Sequence, residues 1–92
     1  MIYKLAIERQ AISDLRNIYQ FILKNSSKAK ADSFLEQLRF QIVQLSAMAN
    51  VNRESKIVQD ELVKDLLYKS YTIVYKIRGN NIHVLSVFRL WD

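Results

Sequence analysis

Lys64, Lys69, Lys76, Arg78 and Arg89 fall in the last third of a 92-residue chain, within segments that alternate like strands. Bunched on one sheet, these cations could hold phosphates or a carboxylate-rich partner, since ammonium and guanidinium groups make charge-assisted bonds to both. Proton transfer has fewer candidates. His83 is the sole histidine; imidazole titrates near neutrality, as a general base must, but beside Asn80-Asn81 it reads as a surface strand residue. Asp60-Glu61 is a carboxylate pair, yet neighbours on a strand point to opposite faces and cannot flank one bond as acid and base. One glycine excludes a phosphate-cradling loop, and zero cysteines with one histidine exclude thiolate and histidine-rich metal sites. No cofactor or metal is expected. Among the tyrosines, Tyr19, Tyr71 and Tyr75 lie on apolar stripes and read as core, which leaves Tyr3 and Tyr68 as possible contacts.

The elements that must position these groups are read from changes of period. Tyr3, Leu5 and Ile7 alternate with Lys4 and Ala6, a short first strand. From Glu8, Ala11, Ile12, Leu15, Ile18, Tyr19 and Ile22 form one helical stripe, with Arg9, Ser13, Asp14, Arg16, Asn17 and Gln20 towards solvent. Asn25-Ser26-Ser27 interrupts it, and either serine could cap a second helix. That helix carries Ala31, Phe34, Leu35, Leu38, Ile42, Leu45 and Met48 on one face, and so short a connection implies an antiparallel hairpin. Asn50 to Ser55 reads as a polar loop, and Lys56-Ile57-Val58 returns towards the sheet. Leu62 to Tyr68, Tyr71 to Ile77 and Ile82 to Phe88 then form three strands, with corners at Lys69-Ser70 and Arg78 to Asn81. The fold class is α+β: an N-terminal strand, an antiparallel helical hairpin, then a three-stranded antiparallel meander.

Alternation predicts that Tyr71, Ile73, Tyr75 and Ile77 meet the helices, while Thr72, Val74, Lys76 and Arg78 face away. On the last strand Ile82, Val84, Ser86 and Phe88 form one set, and His83, Leu85, Val87 and Arg89 the other. Val74, Leu85 and Val87 would then leave an apolar patch on the open face, rimmed by Lys76, Arg78, His83 and Arg89, a place for a partner segment.

Size and charge set the frame. The length suits one domain, residues 1–92. Fourteen basic against nine acidic residues leave a net charge of +5, which favours polyanions or an acidic protein. No secretory signal or membrane-length run is present, so a cytoplasmic location is expected and no membrane contact.

Three segments carry a resemblance. They are Ala11 with Asp14-Leu15, Ile18-Tyr19 and Ile22; then Val63-Lys64-Asp65-Leu66; then Tyr71-Thr72-Ile73-Val74-Tyr75-Lys76-Ile77 followed by Ile82 to Phe88. In that order they resemble the RelE/ParE superfamily of type II toxins, across nearly the whole chain. The resemblance implies a β-α-α-β-β-β fold and a small toxin neutralised by a cognate antitoxin in a hetero-oligomeric complex. One branch cuts mRNA on the ribosome; the other inhibits DNA gyrase. The ribonuclease branch carries an arginine directly after the first tyrosine of the central strand, where Thr72 stands here, so the ParE-like, non-enzymatic branch is favoured. On that reading Lys64, Arg89 and Trp91 contact the target. The alternative is a ribosome-dependent endoribonuclease using Lys64, Tyr68 and Arg89, and the third is an inactive homologue that only binds antitoxin. For the antitoxin, Val74, Lys76, Arg78, Leu85 and Val87 are the expected contacts, with the helical hairpin as a further surface.

Overall fold

The computed structural model describes residues 3–49, 52–55, 58 and 60–89. Among them the elements run β1 (Lys4–Ile7), α1 (Arg9–Asn25), α2 (Lys28–Met48), β2 (Arg53–Glu54), β3 (Val63–Tyr68), β4 (Tyr71–Arg78) and β5 (Asn81–Arg89). The strands form one sheet in the order β1-β5-β4-β3-β2, with the helical hairpin on one face. No helix among the described residues is long and apolar enough to cross a membrane.

The hairpin is set by its short connection. Ser26 ends α1 through its backbone N–H, which donates to the Ile22 carbonyl. Ser27 is the residue that caps α2: its hydroxyl accepts the Lys30 N–H at 3.1 Å, satisfying a donor that has no intrahelical partner. Ser27→Ala should therefore cost about 1 kcal/mol, read as a lower urea midpoint with an unchanged slope. Across the connection the Tyr19 hydroxyl and Lys28 both donate to Asp32, at 2.5 and 2.7 Å. Those two bonds, Lys28's first, hold the Asp32 carboxyl below its usual range.

β3, β4 and β5 form the expected meander, turning at Lys69-Ser70 and Gly79-Asn80. Lys69 and Gly79 both sit at positive φ, +54° and +59°. Two pairings lie outside the sequence reading. β1 runs parallel to β5, with Lys4 opposite Asn81 and Ile7 opposite Val84. Arg53-Glu54, read as loop, instead pairs with Asp65 and Lys64 at the far edge. Of the segment expected to return towards the sheet, Lys56 and Ile57 lie outside the described residues.

Where β1 ends, α1 takes over the edge of β5. The Glu8 N–H donates to the Val84 carbonyl at 2.9 Å, and Asp14 Oδ2 accepts the Val87 N–H at 3.0 Å. Asp14, placed on the solvent side by its helical period, is thus a stitch between helix and sheet. Asp14→Ala leaves a part-buried backbone donor without its carboxylate and should cost about 1–2 kcal/mol, measured by thermal unfolding.

Beneath the hairpin, Ala11, Leu38, Ile42, Leu45, Ile73, Tyr75, Ile82, Val84 and Val87 make the core. The Ile73, Tyr75 and Ile77 side of β4 meets the helices as expected. β5 departs from simple alternation. Val74 pairs with Ser86 but Tyr75 with Val84, so Leu85 is an extra residue in a bulge. A bulge reverses the parity of every residue beyond it. Val87 consequently turns into the core and Ser86 and Phe88 turn away, the opposite of the expectation. The far face is not open at its centre either: Val63, Asp65, Thr72 and Val74 are all 1–2 % exposed. Two helix positions assigned to the core are instead surface residues, Ile12 and Met48.

Candidate functional site

The cationic set expected to bunch on one sheet lies on that sheet but is dispersed over both of its faces. Lys64 lies on the helix side of β3, opposite Tyr75 and Glu54. Lys76 and His83 lie opposite one another on the far side, and each has an acidic partner. Lys76 pairs with Asp60 at 3.0 Å and His83 Nδ1 with Glu8 at 2.8 Å. Asp60 is further engaged by the Leu62 N–H, the largest of the influences, with Lys76 and then Arg78, that hold its carboxyl below the usual range. This explains the Asp60-Glu61 pair: Asp60 shapes the approach to β3.

The residues named for target contact separate likewise. Arg89 stands opposite Tyr71, which stands opposite Tyr68, so Tyr68, Tyr71 and Arg89 form one row across three strands. Lys64 is four residues along and two strands away from Arg89, roughly 16 Å at ordinary strand spacings. The Tyr68 hydroxyl donates to Gln37 Oε1 at 2.6 Å. Lys64, Tyr68 and Arg89 are therefore not assembled around a single phosphate. Trp91 lies outside the described residues. Of the expected antitoxin contacts, Val74 and Val87 are buried on opposite faces, Leu85 is the half-buried bulge residue, and only Lys76 and the exposed Arg78 belong to a rim.

Two other surfaces are better formed. On the outer side of the hairpin, Ile12, Leu15, Arg16, Tyr19 and Leu35 line a groove between α1 and α2. It continues through Leu35 into a second, lined by Asp32, Glu36, Arg39, Phe40 and Val43. Phe40 and Val43 are 60 % and 59 % exposed, large apolar groups that a lone surface helix seldom presents together. The signal was available in the sequence: neither residue shares the face of Leu38, Ile42 and Leu45.

The second surface surrounds the Tyr68–Tyr71–Arg89 row at the interhelical end of the molecule. The Phe34 ring packs on Tyr71, with centroids 4.9 Å apart, and on Tyr68 at 6.3 Å. Lys69 Nζ lies 5.5 Å from the Tyr68 ring centre and 6.0 Å from that of Phe34, within reach of a cation–π attraction. It also donates to Gln37 Oε1 at 3.2 Å.

Comparison with known proteins agrees with this architecture. Residues 5–91 match the family described as the ParE toxin of the type II toxin–antitoxin system, parDE. Among solved structures, the chain is similar to the chromosomal ParDE toxin–antitoxin system of P. aeruginosa. There the TM-score is 0.84 at 21% identity, covering 98% of each chain. It is also similar to the RelBE2 toxin–antitoxin complex of Mycobacterium tuberculosis, with a TM-score of 0.73 at 14% identity over 98% of this chain and 100% of that one. No curated protein sequence matches it closely. The two structural likenesses establish the fold and the family match the lineage: the chain belongs to the ParE toxins of type II toxin–antitoxin systems.

Proposed function

We propose that this toxin acts without chemistry of its own, inhibiting DNA gyrase in the cytoplasm until a cognate antitoxin neutralises it. The observation that carries this reading is the ParE family match over residues 5–91. The separation of Lys64 from the Tyr68–Arg89 row supports it. Ribonucleolytic cleavage needs a base and charge-stabilising cations gathered on one phosphate, and these residues are spread over the helix side of the sheet.

The antitoxin's place is the outer groove of the hairpin. An amphipathic segment laid between α1 and α2 would cover Ile12, Leu35, Phe40 and Val43, in the helix-in-groove mode. Its acidic groups would meet Arg16 and Arg39, which border the grooves. Lys76 and Arg78 remain a secondary rim for an extended arm, although Lys76 is already paired with Asp60.

A supercoiling assay with purified gyrase tests the target. The toxin should inhibit supercoiling in proportion to its concentration and accumulate cleaved DNA, and an equimolar antitoxin should restore activity. Full supercoiling at a large excess of toxin, together with codon-phased mRNA breaks in cells expressing it, would replace gyrase by the ribosome.

A further inference from the structure

The interhelical end of the molecule carries more cationic and aromatic surface than antitoxin docking on the outer groove uses. Two grooves meet there. One is lined by Lys30, Ser33, Phe34, Gln37 and Lys69; the other by Asn17, Ile18, Phe21, Tyr71 and Arg89. The Phe34–Tyr71 ring pair joins them. None of the described residues lining either groove is acidic. Lys24 occupies the last turn of α1, and the first turn of α2 has no acidic residue. Asp32, one turn on, is already held by Lys28 and Tyr19.

We propose that this end binds a single-stranded segment of nucleic acid, with phosphates against Lys30, Lys69 and Arg89 and unpaired bases on Phe21 and the Phe34–Tyr71 pair. Charge selects a polyanion. The aromatic surface between the cations selects unpaired bases over duplex, because stacked base pairs have no free faces to offer. Phe21 is 47 % exposed, a ring available for stacking. The Lys69 side chain is held over two rings at the apex of a two-residue turn, so its charge projects from a fixed platform.

This inference does not require gyrase to be the target, and its test is separate. Fluorescence anisotropy of the full chain with a labelled fifteen-nucleotide oligothymidylate, at several salt concentrations, gives affinity and salt slope. Single strand should bind more tightly than duplex of equal length. Removing two cations, in Lys30→Ala with Lys69→Gly, should weaken binding and flatten the salt slope by about 1.4, at roughly 0.7 per phosphate contact. Glycine accepts the positive φ at position 69, so that variant removes the charge without straining the turn. Phe21→Ala should lower single-strand affinity by about fivefold or more while leaving duplex binding unchanged. Arg78→Ala, at the opposite turn, should change neither. Equal affinity for duplex, indifference to Phe21→Ala, or equal competition by polyglutamate would each overturn the proposal. A chain that inhibits gyrase but leaves the oligonucleotide unbound removes this inference and keeps gyrase as the target; one that binds the oligonucleotide without inhibiting gyrase keeps this inference and removes that target.

Discussion

Val43→Glu is expected to release the toxin from its antitoxin with almost no effect on its own fold. The side chain lies 59 % exposed beside Phe40 on the outer face of α2, away from the Leu38, Ile42 and Leu45 stripe that anchors the helix. A charge placed there meets water in the free toxin, and surface changes of this kind usually shift stability by about 0.5 kcal/mol or less. In the complex the same carboxylate would be buried against the apolar side of the incoming segment, next to Glu36. Losing a central interface anchor costs about 2 kcal/mol or more, roughly a thirtyfold rise in Kd. Calorimetric titration with the antitoxin encoded beside the toxin measures it. Thermal unfolding of the free variant supplies the control, and cells carrying both genes should lose protection. Unchanged affinity would move the antitoxin off the hairpin and back towards the sheet.

Tyr75→Phe should produce the largest loss of stability from the removal of a single atom. The ring is fully buried in the core, and its hydroxyl joins two otherwise separate pieces of chain. It donates to the Ala49 carbonyl at 2.5 Å and accepts from Asn52 Nδ2 at 3.1 Å, tying the end of α2 to the approach to β2. Phenylalanine fills the same space but leaves both partners without that oxygen, a cost of about 1–3 kcal/mol. The pH dependence provides a second reading. Burial, the largest influence, raises the phenol's pKa above its ordinary value, against the opposing Asn52 hydrogen bond. A folded pKa above the unfolded one means that the stabilisation is complete below about pH 10. It is lost as pH climbs from there through the raised folded value, because the unfolded chain ionises first. Wild type should therefore lose stability more steeply above pH 10 than Tyr75→Phe, whose alkaline limb lacks that contribution.

The order and type of the main elements were legible because their periods are clean. Ala11, Leu15 and Ile18 repeat on a helix, Ile73, Tyr75 and Ile77 on a strand, and polar pairs mark both hairpin turns. The bulge at Leu85 was not legible, since Val84, Leu85, Val87 and Phe88 place apolar groups at both parities and alternation cannot say which set is inside. The partner of β1 was equally hidden: a short alternating strand shows a face, while the strand beside it depends on the completed topology. Asp14 was misplaced because periodicity ranks a residue by the side it occupies, and a carboxylate at the margin of a helix can turn towards an unsatisfied N–H. Of the dispersed cations, Arg89 is turned to the helix side by the same bulge, while Lys64 and Lys76 take opposite sides from the register of β3 with β4. What could be inferred of function came from the order of three segments along the chain. The groove of Phe40 and Val43 lies on α2 alone and was legible from helical period, whereas the other grooves draw residues from separate elements and were not.

The lateral union of β1 with β5 sets when this molecule can exist at all. Lys4 leaves the ribosome well before its partner Asn81, which follows both helices and β2 to β4 in the chain. Until then the leading segment has no neighbour on which to complete its ladder, and a parallel union of such distant segments is slow to nucleate. Nascent fragments that lack β5 should therefore remain unfolded and harmless, and a growing polypeptide becomes dangerous to its host only once β5 has been made.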